Sequence, residues 1–473
     1  MKLRELTILS LLALAPATAV ADAVYDAVQA AAASPRNRAL QRAAGDALKD
    51  AGRYKEAISF YLKADNAGNL GAAEAAFYMY DFDRASEYLD KYLAKRTKAE
   101  IQKDTDFTYR PDGEATDWTE YLSSRIDMGR SMLDRVEKIQ VIDSINVPAD
   151  KFFNYLRLAR SAGRIVGEET LSRLVDDTTL DRLGLTDISG TGYMTESGED
   201  VIWTGADADG NTRMFESVRL ADGTWDTPVP LFDYETIFGN DNGLWISAPF
   251  LMNDGVTLYF AADGEESLGG LDIFISRRDG DRFLQPSNIG MPYNSPFNDY
   301  LYAIDEQTGT GWWVTDRNGI PDMVTVYTFI PQELRINYPV DTPDLAAYAK
   351  VTSIAATQEP GSDHSRLLRR IESLDESRQT SDASGDFAFA LPDGRIVRRL
   401  SDLRSSLARQ AMQEYLGAVR EIDTTSRQLA GLRDAYAKGD RSHDEEIIRL
   451  EDRLDTLRAS LTELSNHVVT SEE

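Results

Sequence analysis

The central part of the chain contains three segments that decide its fold: NDGVTLYF at residues 253–260, LGGLDIFIS at 268–276 and PSNIGMPYNS at 286–295. The first two contain runs of aromatic and β-branched residues, which favour the pleated surface of a sheet. Asp-Gly and Gly-Gly pairs precede these runs, and such pairs are typical of turns. The pattern therefore predicts short strands joined by polar turns.

The same layout recurs on both sides of this stretch. The copies of the first strand lie at 201–204, 257–260 and 310–313, and the copies of the second strand lie at 214–217, 273–276 and 326–329. Successive copies are offset by 53 to 59 residues. A repeat of that length, built from short strands with Asp/Gly turns, is typical of the blades of a β-propeller. We therefore predict a β-propeller-like domain over residues 141–330.

These motifs together resemble the TolB-like branch of the WD40-like repeats, and GWWVTDR at 311–317 resembles the next blade of that pattern. The resemblance covers roughly residues 187–329. It implies an envelope protein in which such blades follow tetratricopeptide-like helices. Some relatives also carry a peptidoglycan-binding OmpA-type domain, which this sequence lacks, and that difference weakens any transfer of a cell-wall anchoring role.

Three copies do not close a ring, because known propellers use four or more blades. The missing strands are expected in degenerate segments on either side of the repeats. The candidates are residues 141–145, 155–158, 164–166, 387–391 and 395–397. Residues 331–398 are otherwise interpreted as a connector, with short helices near 345–354 and 365–374.

The region before the strands, residues 22–140, has a helical period. Its segment AGDALKDAGRYKEA at 44–57, followed by Tyr61 and Ala64, resembles a tetratricopeptide repeat. A second copy with the same spacing comprises Phe82, Ala85, Leu89 and Tyr92. The interpretation is a helical-repeat domain that presents a surface to a partner. A generic helical bundle remains the alternative.

Residues 1–21 have the pattern of an export signal. Lys2 and Arg4 precede a short apolar run at 6–14, and the small residues at 19–21 offer a cleavage site before Asp22. The apolar run is too short to span a bilayer as a helix. We therefore expect an exported protein without a transmembrane segment in the mature chain.

Residues 399–473 contain two apolar stripes at three- and four-residue spacing. The clearer one comprises Ile447, Leu450, Leu454, Leu457, Leu461, Leu464 and Val468. Such a stripe predicts long helices that pack along a seam. An intramolecular antiparallel hairpin is the favoured interpretation, with a dimerising coiled coil as the alternative.

The composition excludes several classes of function. The formal net charge is −28, so the surface repels phosphate backbones and nucleic-acid binding is not expected. Cysteine is absent, which excludes disulfides, thiol nucleophiles and cysteine-based metal sites. The three histidines all lie outside the strand repeats. No catalytic residue, cofactor or metal is therefore expected.

Carboxylates and aromatic residues leave one alternative open. Propellers host glycosidases, which need two carboxylates on either side of the scissile bond, but Asp254, Asp263 and Asp316 lie at turns where aspartate commonly caps the backbone. Four aromatic residues are candidates for an interaction surface: Trp245, Tyr300, Tyr302 and Trp312. The expected function is a non-catalytic scaffold in the periplasm or at the outer membrane that binds other envelope proteins. A carbohydrate-binding or glycoside-hydrolysing protein that acts on glycan or peptidoglycan is the alternative.

Overall fold

Helices form the N-terminal part of the protein, antiparallel strands the middle and helices the C-terminal part. The computed structural model describes residues 17–105, 117–221, 224–234, 237, 244–280, 282–332, 334–359, 361–373, 389–391, 395–397, 399–437 and 443–472. The sequence also predicts a turn at 438–442 between the two long helices and a polar run at 375–385. Both segments lie outside these ranges, as do the first sixteen residues of the export signal.

The N-terminal helices pack in chain order, each against the next through α5, which then packs on α7. Their bounds are α1 Ala17–Ala33, α2 Arg38–Asp50, α3 Tyr54–Tyr61, α4 Asn66–Tyr78, α5 Phe82–Leu93, α6 Lys98–Thr105 and α7 Trp118–Leu133. Small residues allow this close packing. A Cβ added to Gly45 on α2 would lie 2.6 Å from the Tyr61 ring, and one added to Gly71 on α4 would lie 2.5 Å from it.

The strands form three separate antiparallel sheets of four or more strands, and a fourth, two-stranded ladder lies near the C-terminus. The first sheet contains β2 Arg164–Val166, β3 Asp187–Ile188, β4 Gly192–Met194, β5 Asp200–Ala206, β6 Thr212–Val218 and β7 Val229–Pro230. Two short helices, α8 Glu168–Leu171 and α9 Asp177–Leu183, lie between β2 and β3. Leu171 and Leu180 from these helices belong to the same buried cluster as Trp203 of β5.

The second sheet contains β8 Trp245–Leu251, β9 Thr257–Asp263, β10 Asp272–Asp279, β11 Arg282–Phe283 and β12 Ser287–Asn288. The third sheet contains β13 Asp299–Asp305, β14 Thr310–Thr315, β15 Met323–Ile330 and β1 Gln140–Pro148. Its order is β1-β15-β14-β13, so the strand that begins the domain pairs with the strand that ends it. Val147 lies opposite Val324 in this pairing.

The three large sheets pack on one another in a repeated way. Strand β8 of the second sheet contacts β4, β5 and β6 of the first, and β13 of the third contacts β8, β9 and β10 of the second. One buried cluster joins all three sheets and includes Ile202, Phe250, Phe260 and Trp312. The core of the middle region therefore lies between the sheets.

The C-terminal helices are α13 Ser406–Ala437 and α14 Asp444–Glu472, and they pack along each other within the chain. Before them come α10 Leu345–Lys350, α11 Ile354–Thr357, α12 Ser365–Ser373 and the two-stranded ladder of β16 Phe389–Ala390 and β17 Ile396–Val397. Phe389 and Leu391 share a buried cluster with Ala411 and Val468 of the long helices. The base of the hairpin is thus anchored on this small ladder.

One expected strand is wrong. Residues Phe152–Tyr155 form a 3-10 turn, and residues 156–158 pair with no strand. Phe152 and Tyr155 are both buried and three residues apart, and this spacing fits one turn of a 3-10 helix. The other expected strands overlap β1, β2, β16 and β17, and residues 387–388 of one of them lie outside the described ranges. Strands β8 and β13, which face the neighbouring sheets, were not expected.

Candidate interaction surfaces

Two of the four aromatic residues predicted as an interaction surface are buried in the core. Trp312 is 2% exposed and Tyr302 6%, so both are core residues, which corrects the expectation. They are buried because each face of the third sheet is covered by other parts of the chain. Tyr300 is half-buried, and its hydroxyl donates to an Asp316 oxygen 3.0 Å away. Trp245 is also half-buried and packs against the cluster that contains Tyr302.

The aspartates of the strand region are engaged in hydrogen bonds that hold turns. Asp254 accepts from the backbone N–H groups of Val256 and Thr257, both at 2.8 Å. Burial raises the pKa of Asp254, but these hydrogen bonds outweigh it and leave the pKa lowered. Asp316 accepts from the backbone N–H of Asn298 at 2.8 Å, and burial raises the pKa of Asp316.

Asp272 is fully buried at the start of β10. Its oxygens accept from the backbone N–H groups of Leu268 and Gly269 and from the Asn288 side chain, at 2.9, 3.2 and 2.7 Å. Burial and the nearby carboxylate of Asp299 raise the pKa of Asp272 to about 7, although the three donors act in the opposite direction. These contacts hold the loop between β9 and β10.

Asp299 and Arg317 form a buried ion pair with 2.7 Å between nitrogen and oxygen. Arg317 also donates to the carbonyls of Pro292 and Tyr293 at 2.7 and 2.6 Å, and Asp299 accepts from Ser295 at 2.8 Å. Burial raises the pKa of Asp299, and Arg317 opposes that shift. The pair closes the end of the third sheet that faces the helices.

The helical domain contacts the strands through Arg125 of α7. This side chain is 4% exposed, and its guanidinium donates to the carbonyls of Gly264, Glu265 and Ser267 in the loop between β9 and β10. Leu268 of the same loop belongs to a buried cluster with residues of α4, α5 and α7. The loop held from one side by Asp272 is thus held from the other by the helical domain.

A second connection runs through residues 334–340. Glu137 and Asn337 form an antiparallel bridge, and the backbone of Tyr338 donates to the Val136 carbonyl at 2.8 Å. Arg335 donates to the carbonyls of Ile289 and Arg135 at 2.6 and 2.9 Å. Three apolar side chains of this segment are exposed: Leu334, Ile336 and Val340.

The C-terminal hairpin leaves part of its apolar surface uncovered. Leu454, Leu457 and Val468 are buried, as expected for the seam, whereas Leu407 is 64% exposed and Ile448 57%. The helical domain and the hairpin are also linked by a salt bridge of 2.7 Å between Lys55 of α3 and Asp452 of α14. A two-helix hairpin buries only one stripe of each helix, so apolar residues on the other faces stay exposed.

A cleft of about 310 Å³ lies between α9 with its preceding turn and the end of β6 with residues 225–228. Trp225 and Ser217 line it from the sheet side, and Asp176 and Arg182 from the side of α9. The sequence does not single out Trp225 as a site residue, because residues that meet from different elements leave no pattern along the chain. Arg125 is missed for the same reason, since its partners are backbone carbonyls about 140 residues away.

Comparison of the chain with known protein families, with curated proteins and with solved structures finds no match. Within the residues described, no group of three or more His, Asp or Glu side chains is placed to hold a metal ion. Among the helices of the same residues, none combines the length and the apolar character needed to cross a membrane.

Proposed function

We propose that this protein is a non-catalytic interaction scaffold, exported to the periplasm or the outer membrane of a gram-negative cell. The observation that carries the proposal is the buried contact of Arg125 with three backbone carbonyls of the strand region. Together with the Arg335 contacts, it joins a helical domain to a set of sheets while both keep exposed apolar side chains. Such an arrangement holds separate binding surfaces at fixed positions.

We further propose that the N-terminal helices are tetratricopeptide-like and that the three large sheets are blades of the TolB-like type. The first point is supported by Tyr61, whose ring contacts both Gly45 and Gly71. The second is supported by the repeated packing of β8 and β13 on the preceding sheet. In this assignment β1 supplies the outer strand of the last blade.

The proposal assigns no catalytic role to the aspartates of the strand region. Asp272 and Asp299 are fully buried, and Asp254 and Asp316 accept hydrogen bonds that hold turns. A glycosidase needs two carboxylates that reach the same substrate bond. Carboxylates committed to the backbone and to a buried arginine are poorly suited to that chemistry.

The experiment is in vivo crosslinking of the full chain, with a photoreactive residue placed at one of two exposed sites in a gram-negative host. The sites are Leu62 on the helical domain and Ile448 on the hairpin, which are 53% and 57% exposed. We expect a discrete protein adduct from at least one site and no adduct from a matched probe at Arg173, an exposed residue of the first sheet's loop region. Absence of protein adducts at both sites would overturn the scaffold proposal.

Export is tested separately. Signal cleavage before Asp22 is expected to give a mature chain that retains most of α1, which extends to Ala33. The measurement is the N-terminal sequence of the protein recovered from the periplasmic fraction. An intact N-terminus on cytoplasmic protein alone would contradict this part of the proposal.

A further inference from the structure

The cleft beside α9 contains a buried serine whose hydroxyl hydrogen is not used by the described residues of the fold. Ser217 lines it and is 5% exposed, and its oxygen accepts the indole N–H of Trp203 at 2.9 Å. Within the part of the chain that the structure describes, the hydroxyl hydrogen of Ser217 has no acceptor. Buried polar groups normally have a hydrogen-bond partner. A ligand that enters the cleft can supply the acceptor that this hydroxyl lacks.

The wall of the cleft is an aromatic ring with polar neighbours. Trp225 is half-buried against the cluster that contains Trp203, so part of its indole borders the open space. Indole combines a flat apolar face with an N–H donor. Such a wall suits a ligand that has one apolar face and a polar rim.

The charges on the lining select against anions. Asp176 accepts a hydrogen bond from the backbone N–H of Thr179 at 2.8 Å. Asp226 accepts one from the backbone N–H of Thr227 at 2.7 Å. An ionised carboxylate has about four acceptor sites, so both keep acceptor capacity beyond these bonds. Among the described residues of the lining, Arg182 supplies the one positive group. Two negative groups against one positive group disfavour an anionic ligand, while donors and acceptors are both available.

We propose that this cleft binds a single pyranose ring of a neutral glycan, with Trp225 against the C–H face of the ring and Ser217, Asp176, Asp226 and Arg182 around its hydroxyl groups. A pyranose has a face of C–H groups and a rim of hydroxyls that donate and accept, which matches the lining. The volume of about 310 Å³ lies at the lower end for small-ligand sites, so one ring enters and the rest of the chain stays outside. The inference is independent of the scaffold role.

The test is calorimetric titration of the full mature chain with two neutral trisaccharides, one of N-acetylglucosamine and one of glucose. Binding of either trisaccharide supports the inference. The trisaccharide that binds more tightly shows whether the cleft prefers an N-acetylated or an unsubstituted glycan. Trp225→Ala is expected to weaken binding by at least about tenfold, equivalent to about 1.4 kcal/mol. Trp225→Phe keeps an aromatic face and is expected to retain most of the affinity, while Ser217→Ala should weaken it severalfold.

Trp118→Phe is the matched control, because Trp118 lies on α7 outside the cleft and pairs with Glu74. Thermal unfolding of each variant separates loss of the fold from loss of the site, and Trp225→Phe keeps the test usable if Trp225→Ala does not fold. The inference is overturned if neither trisaccharide binds, if Trp225→Ala and Trp118→Phe bind equally well, or if polygalacturonate or trilysine binds in their place.

Discussion

The pair of Asp299 and Arg317 places two charges where water does not reach them, and each carries further hydrogen bonds. Removal of one partner leaves the other charge buried without compensation, which costs about 3–5 kcal/mol. We therefore expect Arg317→Ala to lower the free energy of unfolding by that amount in urea denaturation. Arg173→Ala is the control, because its ion pair with Glu169 is largely exposed and should change stability by less than about 1 kcal/mol. Equal losses for both variants would contradict the structural role of Arg317.

Because Asp272 is buried, we expect the free energy of unfolding to depend on pH. Its pKa of about 7 in the folded protein lies above the ordinary value of 3.8 for this carboxyl, so the folded state binds the proton more tightly than the unfolded state. The stabilising contribution is complete below the unfolded pKa and is lost as the pH rises through about 7. From pH 6 to 8 the free energy of unfolding is expected to fall by about 1 kcal/mol because of this group.

The check is urea denaturation of the wild-type chain, Asp272→Asn and Asp254→Asn at both pH values. Asp272→Asn should flatten the slope, because an amide does not titrate in this range. Asp254→Asn should keep the slope, because the lowered pKa of Asp254 leaves it ionised throughout. A slope that persists in Asp272→Asn would assign the effect to another buried group.

The helices of the N-terminal domain depend on small residues at their contacts. Gly71→Ala would place a Cβ 2.5 Å from the ring of Tyr61, which is 1% exposed and also contacts Gly45. Because the ring has little room to move, we expect a loss of about 1–3 kcal/mol. Gly417→Ala lies in α13 with nothing within 4 Å of the added Cβ, so it should instead stabilise the chain by up to about 1 kcal/mol. The thermal unfolding temperature should therefore fall in Gly71→Ala and rise in Gly417→Ala.

The C-terminal hairpin has one buried stripe and one exposed surface. Leu454 is 4% exposed, and Leu454→Ala is expected to cost about 2–5 kcal/mol, since it leaves a cavity in the seam. Ile448→Ala removes a side chain that is 57% exposed and should change stability by less than about 0.5 kcal/mol. The measurement is the helical circular dichroism during urea denaturation. Similar costs for both would argue that the hairpin packs on a second copy.

The whole molecule depends on the junction between helices and sheets. Arg125→Ala removes the three hydrogen bonds that this side chain donates to the carbonyls of Gly264, Glu265 and Ser267 in the β9–β10 loop. We expect calorimetry to resolve a separate, earlier unfolding transition for the helical domain in this variant. Arg130→Ala is the control, because Arg130 pairs with the exposed Asp83 on the same domain. A single unshifted transition in Arg125→Ala would show that the junction does not depend on this contact.

Local patterns predicted much of the architecture. The repeated strand pairs coincide with β5 and β6, β9 and β10, and β14 and β15. A run of β-branched and aromatic residues between turns is enough to predict a strand, because these residues favour a pleated surface. The helix period likewise predicted the stripe at 447–468 that lies in α14. Strands β8 and β13 are not predicted, since each is buried along most of its length and lacks an alternating pattern.

The type and order of the helices and strands follow from short-range composition and period, which depend only on residues close along the chain. The partner of each element depends on contacts between distant residues, and those are absent from local patterns. Strand β1 therefore joins β15 across about 180 residues, Arg125 binds a remote loop, and Trp312 turns out to be core while Trp225 borders a cleft. Burial and proximity are properties of the folded chain, so the candidate surfaces became identifiable only in three dimensions.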